Sequence, residues 1–290
     1  MSSSMIPNPI LQIPENWNLS NKELYEIYLV EKKQSKIIRE EEDSKKRKKL
    51  YSSTYDDYFK KLPFHPQFKV KDNKIIRDSR LKFQFNQIKK ILNKNDVFVE
   101  IGAGDCSLTI QSSNYCKEAI ALEVSEEIIK GLNFTENSKC LIFDGFNFPI
   151  NDNYAGLAYS NQLMEHLHPS DAIEQVSGIF KFLKKGGAYI CITPNGINGP
   201  HDISRFYGDK LVGFHLKEYK ITELKKLFTL VGFSKVKFYT IIKKKVIYIP
   251  YIFIVFSENF LLLFSIKLRR KIYNWPILSR IMNATVMAIK

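Results

Sequence analysis

Short apolar runs alternate with longer helical patterns over residues 97–242. Each run is apolar on both of its faces, which is typical of a strand buried in a parallel sheet. Five such strands are predicted, at 97–101, 119–124, 139–144, 156–161 and 187–195. A sixth is predicted at KVKFYTII (235–242), and the closing NATVMAIK also has the pattern of a strand. Strands that alternate with helices in this way predict βαβ units in one doubly wound, Rossmann-like α/β sheet.

Two helices between these strands have clear boundary signals. Apolar residues recur at helical spacing over 171–185, with Ser170 and Asp171 at the predicted N-cap and Gly186-Gly187 after the end. A second helix is predicted over 222–231, and Gly232 closes it. Upstream of the first strand, helical spacing covers 21–58 and 78–90.

These elements divide the chain into four predicted parts. Residues 1–77 form an N-terminal helical extension or lid, and residues 78–242 form the core of the fold. Residues 243–280 are predicted as a helical insertion between the last two strands, and 281–290 as the final strand of the core. Residues 31–50 carry nine basic and five acidic side chains but no aromatic residue. We interpret that stretch as a solvated helix face or flexible arm rather than a nucleic-acid site.

The net charge of +14 bears on the choice of partner. A basic balance favours acidic partners such as nucleic acid, acidic glycans or an anionic membrane surface. A general lysine-rich composition explains the charge equally well. Much of the positive charge lies in residues 241–290, which hold nine basic side chains and one acid, Glu258.

Cysteine spacing and hydropathy exclude several classes. The four cysteines form no CxxC pair, so neither a zinc cluster nor a disulfide framework is indicated, and no metal is predicted. Free thiols fit a reducing cytoplasm, and the N-terminal residues lack the pattern of a secretory signal. The longest apolar stretch, 246–266, holds Pro250 and Glu258 near its middle, which disfavours a membrane span. We therefore expect a cytoplasmic protein.

A glycine-bearing turn directly after the first predicted strand carries the strongest chemical signal. Gly102 and Gly104 permit backbone torsions and a close approach that a Cβ atom would block. Glu100 ends that strand and is expected to face the crevice. Glu123 ends the next strand, nineteen residues after Gly104, where a carboxylate can accept both hydroxyls of a ribose. Ser107 stands where the dinucleotide fingerprint needs a third glycine, which argues against NAD.

These residues, with FDG at 143–145 and NQLMEHLHP at 161–169, resemble the class I S-adenosylmethionine-dependent methyltransferases. The chain is especially similar to the bacterial subgroup called methyltransferase type 11 or 23. The resemblance covers about residues 80–240 and includes HDISRFYGD at 201–209. It implies a seven-stranded sheet with the last strand antiparallel, and S-adenosyl-L-methionine as the cofactor.

The resemblance also implies that ten residues along the carboxyl ends of the strands contact the cofactor: Glu100, Gly102, Ala103, Gly104, Glu123, Val124, Asp144, Gly145, Asn161 and Gln162. The first four would border the methionine part. Glu123 would hold the ribose, with Val124 beside the adenine. Asp144 would accept a hydrogen bond from the adenine amino group, or else only cap its own turn. Asn161 and Gln162 would lie beneath the sulfonium.

Methyl transfer to a hydroxyl benefits from a nearby base, and three histidines are candidates. His166 and His168 follow the fourth predicted strand, and His201 follows the fifth, so all lie at the carboxyl edge of the sheet. A packing or capping role is the alternative for His166. The aromatic residues at 51, 55, 58, 59, 206 and 207, with Arg205, either line an acceptor pocket or pack the interior.

The resemblance therefore implies a methyltransferase, with O-methylation of a small-molecule, glycan or lipid-linked acceptor as the leading expectation. An RNA methyltransferase and a non-catalytic cofactor-binding relative are the alternatives, although no dedicated nucleic-acid module is present. Residues 243–280 suggest a peripheral contact with the inner membrane face, with Leu261, Phe264, Leu268 and Ile272 opposite Lys267, Arg270 and Lys271. The competing interpretation packs this segment on the sheet.

Overall fold

The computed structural model describes residues 6–66 and 74–290. Eight strands form one sheet. They are β1 (Val97–Ile101), β2 (Glu118–Glu123), β3 (Ser138–Ile142), β4 (Ala155–Asn161), β5 (Leu183–Ile192), β6 (Lys235–Ile242), β7 (Lys245–Tyr248) and β8 (Thr285–Ile289). The order across the sheet is β3-β2-β1-β4-β5-β8-β6-β7. The predicted Rossmann-like α/β class is confirmed.

The first five strands are parallel, and β8 lies antiparallel between β5 and β6. The antiparallel final strand agrees with the prediction, but the sheet has eight strands rather than seven. The additional strand is β7, which forms a hairpin with β6 at the start of the segment predicted as purely helical. Its turn is Lys243-Lys244, with φ of 46° and 65°. Lysine is an unusual residue at positive φ, so the sequence carries no ordinary hairpin signal there.

The described helices pack on both faces of the sheet. They are α1 (Asn21–Glu40), α2 (Ser44–Lys61), α3 (Lys74–Ile88), α4 (Ser107–Ser112), α5 (Glu126–Ile129), α6 (Pro169–Phe182), α7 (Ile221–Val231), α8 (Tyr251–Leu262), α9 (Ile266–Tyr273) and α10 (Pro276–Met282). Phe85 and Ile88 of α3 and Leu108 of α4 share a core with one face of the strands. Helices α6, α7 and α8 supply the larger core on the other face.

Local residues explain where the two predicted helices begin and end. Helix α6 begins at Pro169 because the proline ring already has the φ of a helix, and His168 is the N-cap instead of Ser170 or Asp171. It ends at Phe182, before the two glycines, because Leu183 adopts extended torsions and begins β5. Helix α7 ends at Gly232 as predicted, with φ of 115°.

The N-terminal helices α1 and α2 are packed on the rest of the molecule. Glu31 and Arg47 are buried, and Arg39 donates hydrogen bonds to the carbonyls of Gly213, His215 and Leu216. The interpretation of 31–50 as a solvated face or flexible arm is therefore wrong for these residues. Their partners lie far away along the chain, so the charge pattern alone could not reveal them.

Candidate functional site

The sheet reverses its winding between β1 and β4. The region beside the carboxyl ends of these two strands is called the crevice below. In open α/β sheets, ligands bind at such a switch point. The turn after β1 has positive φ at Gly102 (69°), Gly104 (56°) and Cys106 (54°). A Cβ atom on Gly102 would lie 3.3 Å from Leu163, in the loop after β4, whereas one on Gly104 would meet nothing within 4 Å. The backbone at Gly104 is therefore open to a ligand.

Glu123 holds this turn from the neighbouring strand. Its carboxylate accepts hydrogen bonds from the amide of Gly104 at 2.8 Å and from the amide of Val124 at 2.8 Å. The side chain is 6% exposed. The predicted proximity of Glu123 and Gly104 is thus present, and a carboxylate has lone pairs for further donors such as ribose hydroxyls.

Glu100 lies near the end of β1, and its side chain is buried. Its carboxylate is buried and accepts a hydrogen bond from the hydroxyl of Thr109 at 2.5 Å, on helix α4. Burial, together with the nearby carboxylates of Asp105 and Glu123, raises the pKa of Glu100 to about 8, although the hydrogen bond from Thr109 lowers it. Glu100 therefore joins β1 to α4, and its place beside the methionine part of the cofactor stays a prediction.

Asp144 is exposed and caps its own turn. Its carboxylate accepts hydrogen bonds from the amides of Phe146 at 2.9 Å and Asn147 at 2.7 Å. Partial burial alone would raise the pKa of Asp144, but these hydrogen bonds outweigh it and lower the pKa. The capping alternative is present in the structure, and the contact with an adenine amino group stays a prediction. Gly145 adjoins it with φ of 89°.

Asn161 and Gln162 lie at the carboxyl end of β4, as predicted. Gln162 is exposed and has φ of 57°. Its backbone amide donates a hydrogen bond to the carbonyl of Ile192 at the end of β5. The next residue, Leu163, packs against Gly102. This segment therefore borders the crevice opposite the glycine turn.

Two of the three candidate bases, His166 and His168, have hydrogen-bond partners that are consistent with a packing or capping role. His166 faces the carbonyl of Phe214 through Nδ1 at 3.2 Å, and burial lowers its pKa to about 3. His168 caps helix α6, with Nδ1 2.6 Å from the hydroxyl of Ser170, and partial burial lowers its pKa. Both histidines therefore have packing or capping contacts, and a role for either as the base stays a prediction.

His201 is placed by the loop that follows β5. Its Nε2 lies 3.0 Å from the carbonyl of Asn195 and 3.0 Å from Oδ1 of Asn198, so Nε2 carries the proton and donates it. Its own amide donates to Glu218 at 2.6 Å. This arrangement leaves Nδ1 as the basic atom of the ring, and the role of His201 as a base stays a prediction.

The described aromatic residues nominated for an acceptor pocket pack the N-terminal segment onto helix α6 and onto residues 203–214. Tyr51 donates to Asp171 at 2.8 Å, Tyr58 donates to Glu31 at 2.6 Å, and Phe206 packs against Trp17. Residues 55 and 59 have side chains outside the described part of the structure. The packing alternative holds for the described members.

Sequence reasoning missed a second group of polar residues, Glu165, His215 and Glu218. Glu165 and His166 follow β4, and His215 lies about fifty residues later, just before α7. The amides of Leu216 and Lys217 donate to the carbonyl of Glu165 and join the two segments. Nothing in the spacing along the chain indicates this contact.

The arrangement at the switch point fits S-adenosylmethionine. The open backbone at Gly104 admits the ligand where a Cβ atom would protrude, and the Glu123 carboxylate beside it suits a ribose. A parallel sheet joined by one antiparallel strand beside β5 is the architecture of class I S-adenosylmethionine-dependent methyltransferases, and this chain has it.

The comparison with protein families agrees. Residues 99–191, which run from β1 to β5, match the family described as a methyltransferase domain. These residues therefore form a methyltransferase domain, and S-adenosylmethionine is its methyl donor. No curated protein matches it.

Several solved structures are similar to this chain. One is an S-adenosylmethionine-dependent methyltransferase from Archaeoglobus fulgidus, with 19% identity and a TM-score of 0.48 over 73% of this chain and 94% of that chain. Another, from Thermotoga maritima, has 17% identity and a TM-score of 0.47, over 72% of this chain and 88% of that chain. A third is phosphoethanolamine N-methyltransferase 1 from Haemonchus contortus, solved with phosphoethanolamine and S-adenosylhomocysteine. It has 15% identity and a TM-score of 0.49, over 63% of this chain and 40% of that chain.

Proposed function

We propose that this enzyme transfers a methyl group to a hydroxyl of a small, glycan or lipid-linked acceptor, and that it works against an anionic membrane surface. One observation supports S-adenosylmethionine as the cofactor in this proposal. The Glu123 carboxylate accepts a hydrogen bond from the amide of Gly104, where the backbone of the turn is open. In this proposal Glu123 accepts the ribose hydroxyls, and Asn161 and Gln162 border the reacting centre. Bound S-adenosylmethionine would supply the methyl group from its sulfonium, and the thioether that is released needs no acid to leave.

The remaining task of the protein is to position the acceptor and exclude water. His201 lies in the loop that follows the carboxyl end of β5, the same edge as the crevice, so it is the base that the proposal favours for a hydroxyl acceptor. An acceptor that arrives already ionised would need no base.

Calorimetric titration of the full-length chain tests the cofactor assignment directly. We expect S-adenosylmethionine and S-adenosylhomocysteine to bind with one site each, and NAD to show no saturable heat. Tight binding of NAD with no response to S-adenosylhomocysteine would contradict the proposal.

An exposed apolar surface supports the membrane part of the proposal. Ten of the 22 large hydrophobic side chains that are exposed among the described residues lie between 247 and 277. They are Ile247, Tyr248, Ile252, Phe253, Phe256, Leu262, Leu263, Leu268, Trp275 and Ile277. Phe256 is 68% exposed and Leu263 is 79% exposed. A concentration of this kind marks an interaction surface.

The exposed surface is not the stripe that the sequence analysis nominated. Leu261 and Ile272 are buried and Phe264 packs against the core, so among those four residues only Leu268 is exposed. The nominated stripe is therefore wrong. Helix α8 is apolar around most of its circumference, and the sequence pattern could not show which side would face the sheet.

The insertion also braces the loop that holds His201. Arg269 donates to the carbonyl of Ile197, and Arg270 donates to the carbonyls of Asn198 and Gly199. This loop follows β5 at the edge of the sheet that carries the crevice. An acceptor anchored in a membrane beneath the insertion would therefore have its polar part near the proposed site.

Charge complementarity favours an anionic bilayer over RNA. Six basic side chains near the apolar surface are exposed: Lys243, Lys244, Lys245, Lys267, Lys271 and Arg280. Basic groups beside Phe, Trp and Ile match an interface where the apolar side chains enter the acyl region and the cations meet the headgroups. No described helix is both long and apolar enough to cross a bilayer.

We expect the full-length chain to float with vesicles that contain phosphatidylglycerol, and to do so less well at high salt. The double variant Phe253→Ser/Phe256→Ser should reduce the partition coefficient at least ~10-fold, because each buried aromatic contributes about 1.5–3 kcal/mol. Vesicle flotation with quantified protein measures this.

Leu230→Ser is the matched control, since Leu230 is exposed on α7, outside the insertion, and should leave partitioning unchanged. Absence of binding by the unmodified chain would end the membrane proposal. Retention of a labelled single-stranded RNA without vesicle binding would assign the basic surface to nucleic acid instead.

A further inference from the structure

We propose that Glu165, His166 and His215 form a binding site for a divalent first-row transition metal ion such as Zn²⁺. One ligand atom from each residue lies within 4.8 Å of the others. Ligands at about 2.0–2.1 Å from such an ion lie roughly 3–4 Å apart, so small side-chain rotations complete the set. The inference goes beyond methyl transfer, and metal binding can be measured without any methyl donor.

The hydrogen bonds of both histidines orient them as metal ligands. Nδ1 of His215 lies 2.7 Å from the carboxylate of Glu218, and Nδ1 of His166 lies 3.2 Å from the carbonyl of Phe214. Both partners are acceptors, so each Nδ1 carries a proton, and Nε2 is the ring nitrogen that would coordinate the ion in this proposal. Metal-binding histidines almost always donate their other N–H to a carboxylate or a backbone carbonyl in this way.

Glu165 supplies the oxygen ligand. Its Oε2 accepts a hydrogen bond from Thr193 at 2.9 Å, while the buried Oε1 has no hydrogen-bond partner in the described part of the chain. Buried polar atoms are nearly always satisfied, so an orphaned oxygen calls for a missing partner. A cation shared with the two imidazoles would satisfy it.

The backbone brings the site together from two distant segments. The carbonyl of Glu165 accepts from the amide of Leu216 at 2.7 Å and from the amide of Lys217 at 3.1 Å. The rings of His166 and His215 meet edge to face, with centroids 4.9 Å apart. Two short stretches about fifty residues apart are thus fixed against each other, and the ligands do not have to be gathered by the ion.

The donor set decides which metals fit. Two imidazoles and one carboxylate suit Zn²⁺, Fe²⁺ or Co²⁺, whereas Mg²⁺ prefers an all-oxygen set and retains water. The chain has a rival soft site, because Cys106 and Cys140 interact closely enough for their thiols to influence each other's pKa. The test therefore has to separate nitrogen and oxygen ligands from thiolates.

The test titrates the chelator-stripped, full-length chain with Zn²⁺ and with Co²⁺, followed by calorimetry and absorption spectroscopy. We expect one equivalent of each ion to bind and Mg²⁺ not to compete. The Co²⁺ complex should show visible d–d bands without the near-ultraviolet band of a cobalt–thiolate bond. This spectroscopic readout uses the unmodified chain, so it does not depend on the folding of any variant.

Variants then locate the ion. His215→Gln and Glu165→Gln should each weaken Zn²⁺ binding by at least ~100-fold, since even the loss of an outer-shell partner costs 10- to 100-fold. His201→Gln and Cys140→Ser should bind Zn²⁺ as the unmodified chain does, and circular dichroism checks that each variant is folded. No saturable binding, a thiolate band with Co²⁺, or unchanged affinity in both ligand variants would overturn the assignment.

Discussion

Replacing Glu123 with alanine should weaken the binding of S-adenosylhomocysteine by roughly 30- to 1000-fold, which is about 2–4 kcal/mol. The carboxylate is the proposed acceptor for two ribose hydroxyls, and hydrogen bonds to a charged group are the strong ones. It also holds the amides of Gly104 and Val124, so the variant loses part of the shape of the turn as well. Isothermal titration calorimetry gives the dissociation constants.

Glu118→Gln provides the matched control on the same strand. Glu118 begins β2, at the end of the strand away from the crevice, and bonds Lys139 and Tyr154. Its replacement should leave the affinity within about 2-fold, because surface ion pairs contribute little. Glu123→Gln keeps one acceptor oxygen, so its affinity for S-adenosylhomocysteine should lie between those of Glu123→Ala and Glu118→Gln. Equal affinities for the unmodified chain and Glu123→Ala would remove Glu123 from the site.

The substitution Arg47→Met should lower the free energy of unfolding by about 3–5 kcal/mol, because it leaves a buried carboxylate without its ion-pair partner. The side chains of Arg47 and Asp171 are 2% and 1% exposed. Nη2 and Nε of the guanidinium lie 2.5 Å and 2.6 Å from the two carboxylate oxygens. Tyr51 adds a hydrogen bond of 2.8 Å to Asp171. Equilibrium unfolding in guanidinium chloride measures the change.

The pair joins helix α2 of the N-terminal extension to helix α6 of the core. A double variant, Arg47→Met/Asp171→Asn, should therefore recover part of the lost stability, since no unpaired charge then stays buried. Lys36→Met is the control, because Lys36 forms an exposed ion pair with Glu40 on its own helix. Similar losses for Arg47→Met and Lys36→Met would contradict the buried-pair interpretation.

The same pair gives the stability a defined pH dependence. Burial alone would raise the pKa of Asp171, but the hydrogen bonds from Arg47 and Tyr51 outweigh burial and lower it. A carboxyl group with a depressed pKa stabilises the fold above its unfolded pKa of about 3.9 and loses that contribution as the pH falls through its folded pKa. The acid-induced loss of stability should be smaller in Arg47→Met than in the unmodified chain.

Local periodicity and turn chemistry determined the parallel core of this protein. Short apolar runs such as VFVEI between turn residues are typical of buried central strands, and Gly102 and Gly104 permit torsions that other residues resist. The spacing of Glu123 from Gly104 placed both at neighbouring strand ends, because parallel strands end at the same edge of the sheet. These features depend on residues close in sequence, so the sequence alone could predict them.

Tertiary contacts decided what depends on residues far apart in sequence. Asp171 is paired with Arg47, 124 positions away, and His215 meets Glu165 across about fifty residues. The buried side of α8 was also decided by packing, because a helix that is apolar around most of its circumference carries little signal for which side faces the sheet. The hydrophobic pattern specifies which positions of a helix or strand are buried. Which residue each one contacts depends on how the helices pack on the sheet.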